Sequence, residues 1–243
     1  MKLKQFYFKK VLSTNQTALR LIKNSKCEFG LIVSETQSKG RGQYGRKWIS
    51  HKGNIFMSIF YKLDKINLSI SSLTKKNCFL VKNVISKYYK KKITFKLPND
   101  LLINKKKISG ILIETSDSEE GLDVVIGIGI NVHMDESEGV EIDQDWGNLE
   151  ENHSNKLDRN KIVQSIISKL HQLFKDYPQS GFKKYHHTFE SYNLLKDKLC
   201  KVEMDRETFE GKVIGVNEAG ELLVEKDREI RHLRYGEVSI REL

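Results

Sequence analysis

Leu122, Val124, Ile126, Ile128 and Ile130 occupy alternate positions of one run, with Gly127, Gly129 and Asn131 on the opposite parity. A period of two is the signature of a strand with one apolar face. Glycine inside a strand costs stability and marks a place where something approaches the backbone closely. A helix crossing tightly over the sheet and a floor for a ligand both satisfy the pattern, and both stay open at this point. Lys107 to Glu114 forms a second strand, joined to the first through polar Thr115 to Gly121, so the pair reads as a hairpin. Gly30 to Ser34 is a short buried strand, and Ile55 to Tyr61, apolar at nearly every position, reads as a central one.

Helices are read between these strands. Ser13 with Gln16 has capping-box spacing ahead of Ala18, Leu19, Leu21 and Ile22. Val81, Val84, Ile85 and Tyr88 predict an amphipathic helix over Ser72 to Lys91. Val163, Ile166, Ile167 and Leu170 predict another, continued by Leu173, Phe174 and Tyr177 and ended by Pro178 and Gly181. From Leu199 onward the chain changes to closely spaced short strands: Leu199 to Met204, Thr208 to Val216, Glu221 to Glu225, Glu229 to Leu233 and Glu237 to Ile240. Asn217 to Gly220 is a hairpin turn among them, and together they predict a small β-barrel appended near Leu194. Glu35 to Asn54 and acidic His133 to Asp158 are long and polar, as functional or disordered loops are.

The chain carries 42 basic and 32 acidic residues, a net charge of +10. Nucleic acid, a phosphate-bearing substrate or an acidic protein would each suit that balance. Much of it is solvated lysine, as in Lys90 to Lys92 and Lys105 to Lys107, and it does not name a partner. No run approaches the roughly 18 apolar residues of a membrane span, and the lysines of MKLKQFYFKKV interrupt any signal-peptide core. Cys27, Cys78 and Cys200 are odd in number and far apart, which argues against a disulfide framework or a structural zinc site. His186 and His187 adjoin but face different ways on a helix, so they are not a metal pair. The expectation is a cytoplasmic protein with no metal held by its own side chains.

Chemistry concentrates in Gly40-Arg41-Gly42-Gln43-Tyr44-Gly45-Arg46-Lys47-Trp48. Glycines let backbone amides turn towards an anion, and arginine presents a planar fork suited to phosphate. An Arg-Gly segment with aromatics is equally suited to RNA. The run resembles the G-R-G-R-x-G-R-x-W signature of biotin protein ligases, matching at Gly40, Arg41, Gly42, Gly45, Arg46 and Trp48. Lys96-Leu97-Pro98-Asn99-Asp100 is similar to their K-W-P-N-D, Lys107 precedes Gly110-Ile111-Leu112 as their lysine precedes G-I-L, and Gly127 to Asn131 is similar to their G-x-G-I-N. Ser13-Thr14-Asn15, Gln37 and Glu237 to Arg241 match in the same order, so the resemblance covers essentially the whole chain.

The resemblance implies an α+β fold: a mixed-sheet catalytic domain of the class II synthetase and biotin ligase type over residues 1–193, and an SH3-like barrel over 194–243. It implies activation of biotin with ATP as biotinoyl-adenylate, then transfer to one lysine of the biotin carboxyl carrier protein of a carboxylase. Mg2+ would arrive on the phosphates. Lys107 and Arg41 would be the catalytic cations, Lys107 lying between biotin carboxylate and α-phosphate. Biotin would be held by Ser13, Thr14, Asn15, Gln37, Gly40, Arg41, Gly42, Gln43 and Lys107, over a floor of Gly110, Ile111, Gly127 and Ile130. ATP and the adenylate would meet Arg41, Gln43, Arg46, Trp48, Asn99, Lys107, Asn131, Trp146 and Arg241. Trp146 is suited to stacking on adenine and equally to packing against the core. The family's amino-terminal operator-binding domain has no room ahead of Ser13, so sequence-specific DNA is not an expected partner. Some members pair through the catalytic sheet, and nothing in this sequence selects for or against a homodimer.

Two positions depart from the pattern: Leu97 replaces a tryptophan, which bears on packing, and Gln43 replaces an arginine. An amide brings hydrogen bonds without charge, so the adenylate is expected to escape faster than from Gln43→Arg. Equal rates of adenylate release from the two proteins would dispose of that idea. A lipoate ligase shares the fold and the adenylation logic, but the Arg-Gly loop and the Lys107 spacing fit the biotin branch. An RNA-binding protein would need a stacking platform that these aromatics do not form.

Overall fold

The computed structural model describes residues 3–25, 27–63, 69–118, 121–151, 156–176, 182–236 and 238–243. Pro178, Gly181 and Glu237, which entered the expected helix end and last strand, lie outside these. In chain order the elements are β1 (Lys4–Val11), α1 (Thr14–Ser25), β2 (Phe29–Gln37), β3 (Ile55–Leu63), α2 (Ile70–Ile85), β4 (Ile93–Lys96) and β5 (Asp100–Ile103). They continue with β6 (Lys106–Ser118), β7 (Gly121–Ile130), α3 (Arg159–Asp176), α4 (Lys183–Glu190), β8 (Leu199–Glu203), β9 (Thr208–Val216), β10 (Leu222–Lys226), β11 (Glu229–Leu233) and β12 (Ser239–Glu242). Two compact units result, residues 1–66 with 105–163 and residues 67–104 with 164–243.

In the first unit the strand order is β1-β2-β3-β7-β6. The β1–β2 pair is parallel and the others antiparallel, which makes the sheet mixed. The β6–β7 hairpin sets Gly110 opposite Gly129 and Leu112 opposite Gly127. On the glycine-bearing face of β7, Val125 joins Ala18, Cys27, Ile32 and Phe60 in a core cluster, partly covered by Phe6, Leu19, Leu21 and Ile22. The other face carries Val124, Ile126, Ile128 and Ile130, all 2% exposed or less, so the strand is buried on both sides.

β1 is exposed at most positions along its length, with Lys4, Lys9 and Lys10 at an edge of the sheet. Edge strands are commonly charged in this way, because unpaired backbone otherwise recruits other chains. An edge wetted on both faces has no alternating pattern to read.

In the second unit β4 and β5 form a hairpin, and Phe95 of β4 stacks on Phe189 of α4 with ring centroids 4.3 Å apart. The carboxyl-terminal sheet has the antiparallel order β11-β10-β9-β8-β12. Helix α4 holds β9 at one residue: Val216 N–H donates to Glu190 Oε1 at 3.0 Å, and the Val216 carbonyl meets His186 Nε2 at 2.5 Å. Ser69 caps α2, accepting from Ser72 N–H at 3.1 Å, and donates to the Ala219 carbonyl at 2.8 Å.

The helix expected over Ser72 to Lys91 is thus shifted, ending at Ile85. Lys87 and Tyr88 donate to carbonyls three residues back, tightening the last turn, and the like charges of Lys90 to Lys92 oppose continuation.

Lys75 of α2 is 2% exposed and donates to the Pro98 carbonyl at 2.9 Å. Burial pushes its amine down to about 8, against a smaller raising influence of Cys78. Below that pH the amine is charged in both folded and unfolded chains, and folding carries the full desolvation cost. Between about 8 and the unfolded value of about 10.4 only the unfolded chain keeps the proton, so stability rises with pH. Lys75→Met should flatten that rise in urea unfolding compared at about pH 7 and about pH 10.

Candidate active site

The first unit gathers a site on the glycine-bearing face of β6 and β7. The loop from Gly40 to Trp48 is itself a small hairpin: Trp48 N–H donates to Gly40 O at 2.9 Å, and Gly42 N–H to Arg46 O at 2.8 Å. Its turn lies at Gln43–Gly45, with Tyr44 at φ +57°. Trp48 lies on the strand glycines. A methyl group on Gly129 would sit 2.6 Å from Trp48 Cε2, and one on Gly110 2.8 Å from Trp48 Cζ3. Lys107 extends over the same place, its Nζ 5.2 Å from the centre of the indole system. An ammonium facing an aromatic surface is attracted by the ring's electron-rich face.

Beside Trp48 runs a chain of hydrogen bonds, buried at Ser58 and exposed at Arg41. Gln37 Oε1 accepts from Thr14 N–H at 2.8 Å, and Gln37 Nε2 donates to Ser50 Oγ at 3.0 Å. Ser58, fully buried on β3, places its Oγ 2.7 Å from Thr14 Oγ1 and 2.6 Å from Asn15 Oδ1. Asn15 Nδ2 donates to Glu114 Oε2 at 2.7 Å and reaches the Leu112 carbonyl at 3.4 Å. Arg41 Nη2 meets the second carboxylate oxygen, Glu114 Oε1, at 3.1 Å. Ser13 is buried, and its carbonyl accepts from Thr17 at the start of α1.

The space over each strand glycine is taken by a side chain of the protein itself. Gly127 receives Asn15 from the first turn of α1, and Gly129 receives Trp48. The expected floor needs one correction. Ile111 pairs with Ile128, and Ile130 with Ser109, so the pleat turns both isoleucine side chains to the face opposite Gly110 and Gly127. Gly129, paired with Gly110, lies on the same face as Gly110 and Gly127.

The acidic segment after β7 is anchored beside Lys107. Lys107 N–H donates to Asp145 O at 2.9 Å, and Gly147 N–H donates to Lys107 O at 3.0 Å. Asn131, 6% exposed, gives its side-chain N–H groups to Gly147 O and Lys107 O, so it ties this strap. Trp146 packs against Gly139 of the same segment. Lys47 pairs with Glu141, linking the glycine hairpin to the strap. Arg46 lies over the Tyr44 ring at 5.8 Å, at the exposed tip. Asn99 stands in the turn between β4 and β5, and Arg241 on β12 opposite Lys201; both belong to the second unit.

Gln43 Nε2 and Trp48 Nε1 are buried donors with no acceptor among the described residues. Such a donor costs about 1–3 kcal/mol while unsatisfied, and a ligand oxygen would relieve it. Ser58 and Glu114 were not among the expected site residues. Ser58 had a signal, as the lone small hydroxyl in an otherwise apolar strand core.

A family model described as Biotin/lipoate A/B protein ligase family matches residues 7–131, and one described as Biotin protein ligase C terminal domain matches residues 197–241. The chain belongs to the biotin protein ligase family. It is 33% identical to the bifunctional ligase/repressor BirA of Escherichia coli K12 over 232 residues, covering 94% of this chain and 71% of that protein. It is 30% identical to the biotin--[acetyl-CoA-carboxylase] ligase of Paracoccus denitrificans over 123 residues, 49% of this chain and 51% of that one. The biotin protein ligase of Aquifex aeolicus, solved with biotin and ATP, superposes with a TM-score of 0.82 at 26% identity, over 99% of each chain. The mixed-sheet fold with a carboxyl-terminal antiparallel sheet is thus the biotin ligase fold, as the glycine hairpin and the β6–β7 strands imply.

Proposed function

We infer that this protein activates biotin with ATP and transfers it to a lysine of a carrier protein. The observation that carries this reading is the placement of the Lys107 ammonium beside Trp48, whose indole lies against Gly110 and Gly129. Two anions brought together need a fixed cation. A biotin carboxylate oxygen attacks the α-phosphorus, the bond to the β,γ-phosphates breaks, and pyrophosphate leaves. The neutral amine of the acceptor lysine then attacks the acyl carbon and AMP departs. Lys107 offsets charge as the anhydride forms, and the donors of Gln43 and Trp48 meet oxygens of the substrate. Mg2+ enters on ATP; among the described residues no cluster of three His, Cys, Asp or Glu side chains could hold an ion by itself.

The match to the biotin ligase carboxyl-terminal domain supports this reading over a lipoate ligase. We propose catalysis in residues 1–193 and a separate barrel in 194–243, with the carboxyl carrier protein of a carboxylase as acceptor. Three buried free cysteines suit a reducing cytoplasm. No described helix is long and apolar enough to cross a membrane.

The test is direct. Biotin with MgATP should release pyrophosphate and raise the melting temperature. Lipoate should do neither, and a purified carrier domain should gain biotin only when ATP is present. Salt-sensitive RNA binding with no response to biotin would overturn the reading.

A further inference from the structure

We propose that Glu114 is the positioning residue of this site, one carboxylate that fixes the Asn15 wall with one oxygen and orients the Arg41 guanidinium with the other. The proposal rests on the ligase reading above.

Glu114 lies on β6 with its side chain 27% exposed, so its bonds are partly shielded from water. Its Oε2 is 2.7 Å from Asn15 Nδ2 and its Oε1 3.1 Å from Arg41 Nη2. The first contact decides which way the Asn15 amide faces. With the nitrogen turned to Glu114, Oδ1 is left facing the Ser58 hydroxyl at 2.6 Å; reversed, Oδ1 would oppose a carboxylate. The second contact uses one edge of a guanidinium whose planar fork has five N–H donors. Held by one edge, it presents the remaining donors in a set direction to an incoming anion, with less rotamer freedom to lose on binding.

The alternative is a bystander charge, and the two have opposite signs. A carboxylate acting only through its field repels phosphate, so neutralising it would tighten ATP. A carboxylate acting through Arg41 helps hold ATP, so neutralising it weakens ATP.

Glu114→Gln separates the two halves of the role. The amide oxygen still accepts from Asn15, while the amide nitrogen is a donor set against Arg41. Biotin binding without ATP, followed by calorimetry, should stay within about threefold of the parent. The kcat/KM for MgATP in biotin-dependent pyrophosphate release should fall roughly 10- to 100-fold, the range for one charge-assisted hydrogen bond. In an Arg41→Gln background, Glu114→Gln should add almost nothing, because its partner is already gone. Glu114→Asp keeps the charge but is one methylene too short to span both partners, and should fall between; it serves if the glutamine variant melts early. An unchanged or raised kcat/KM for ATP, or the full further loss in the Arg41→Gln background, overturns the proposal. Absence of pyrophosphate release from the unsubstituted protein would instead strike the ligase reading.

Discussion

Lys107→Ala should fold normally, still bind biotin, and form adenylate roughly 100- to 1,000-fold more slowly, the usual cost of removing one preorganised charge from a transition state. The side chain is half-buried over Gly110 and Trp48, and its truncation removes an ammonium and a flexible stem without opening a core cavity. Its backbone bonds to Asp145 and Gly147 survive the change, so the strap is retained. The loss should fall on kcat, because the charge offset is greatest while the carboxylate and α-phosphate share the forming bond. Single-turnover measurement of pyrophosphate release checks it. A variant that loses biotin affinity in proportion to rate would show that Lys107 serves binding alone.

Gly129→Ala should disable the site while leaving the fold nearly intact, and Gly127→Ala should do the reverse damage. At Gly129 the added methyl meets the indole at 2.6 Å, and Trp48 is half-buried on a loop that can yield. Displacing it moves the ring away from Lys107. The energy of such overpacking, about 1–3 kcal/mol, would appear as a roughly 5- to 150-fold loss of biotin affinity. At Gly127 the methyl meets Asn15, which is 3% exposed and bonded to Ser58 and Glu114. Asn15 cannot move without stranding buried polar groups, so the penalty falls on stability and lowers the melting temperature by several degrees. Tryptophan fluorescence in a Trp146→Phe background, with thermal melts, separates the two. Equal melting temperatures for both alanine variants would contradict the distinction.

The residues legible in the sequence are those whose pattern repeats. The alternation through β7 and the glycines within it located the sheet and its glycine-bearing face. The helix over Val163 to Leu170 was equally plain, since its apolar residues keep one side. Elements without a pattern escaped: β4 and β5 are four residues each, too short to show a period, and β1 is wet on both faces. Thr14, Asn15, Gln37, Arg41 and Lys107, named from ordered motifs, all lie in the first unit. Their connections were not legible, because a hydrogen bond between Asn15 and Glu114 spans 99 residues of chain. Grouping Ile111 and Ile130 with the floor failed for a simpler reason, the two-residue repeat of the pleat itself.

The root of Lys107 is gripped above and below by a single passing segment, at Asp145 and at Gly147. Any opening of that segment breaks both bonds together, so the amide protons of Lys107 and Gly147 should trade with deuterium in step.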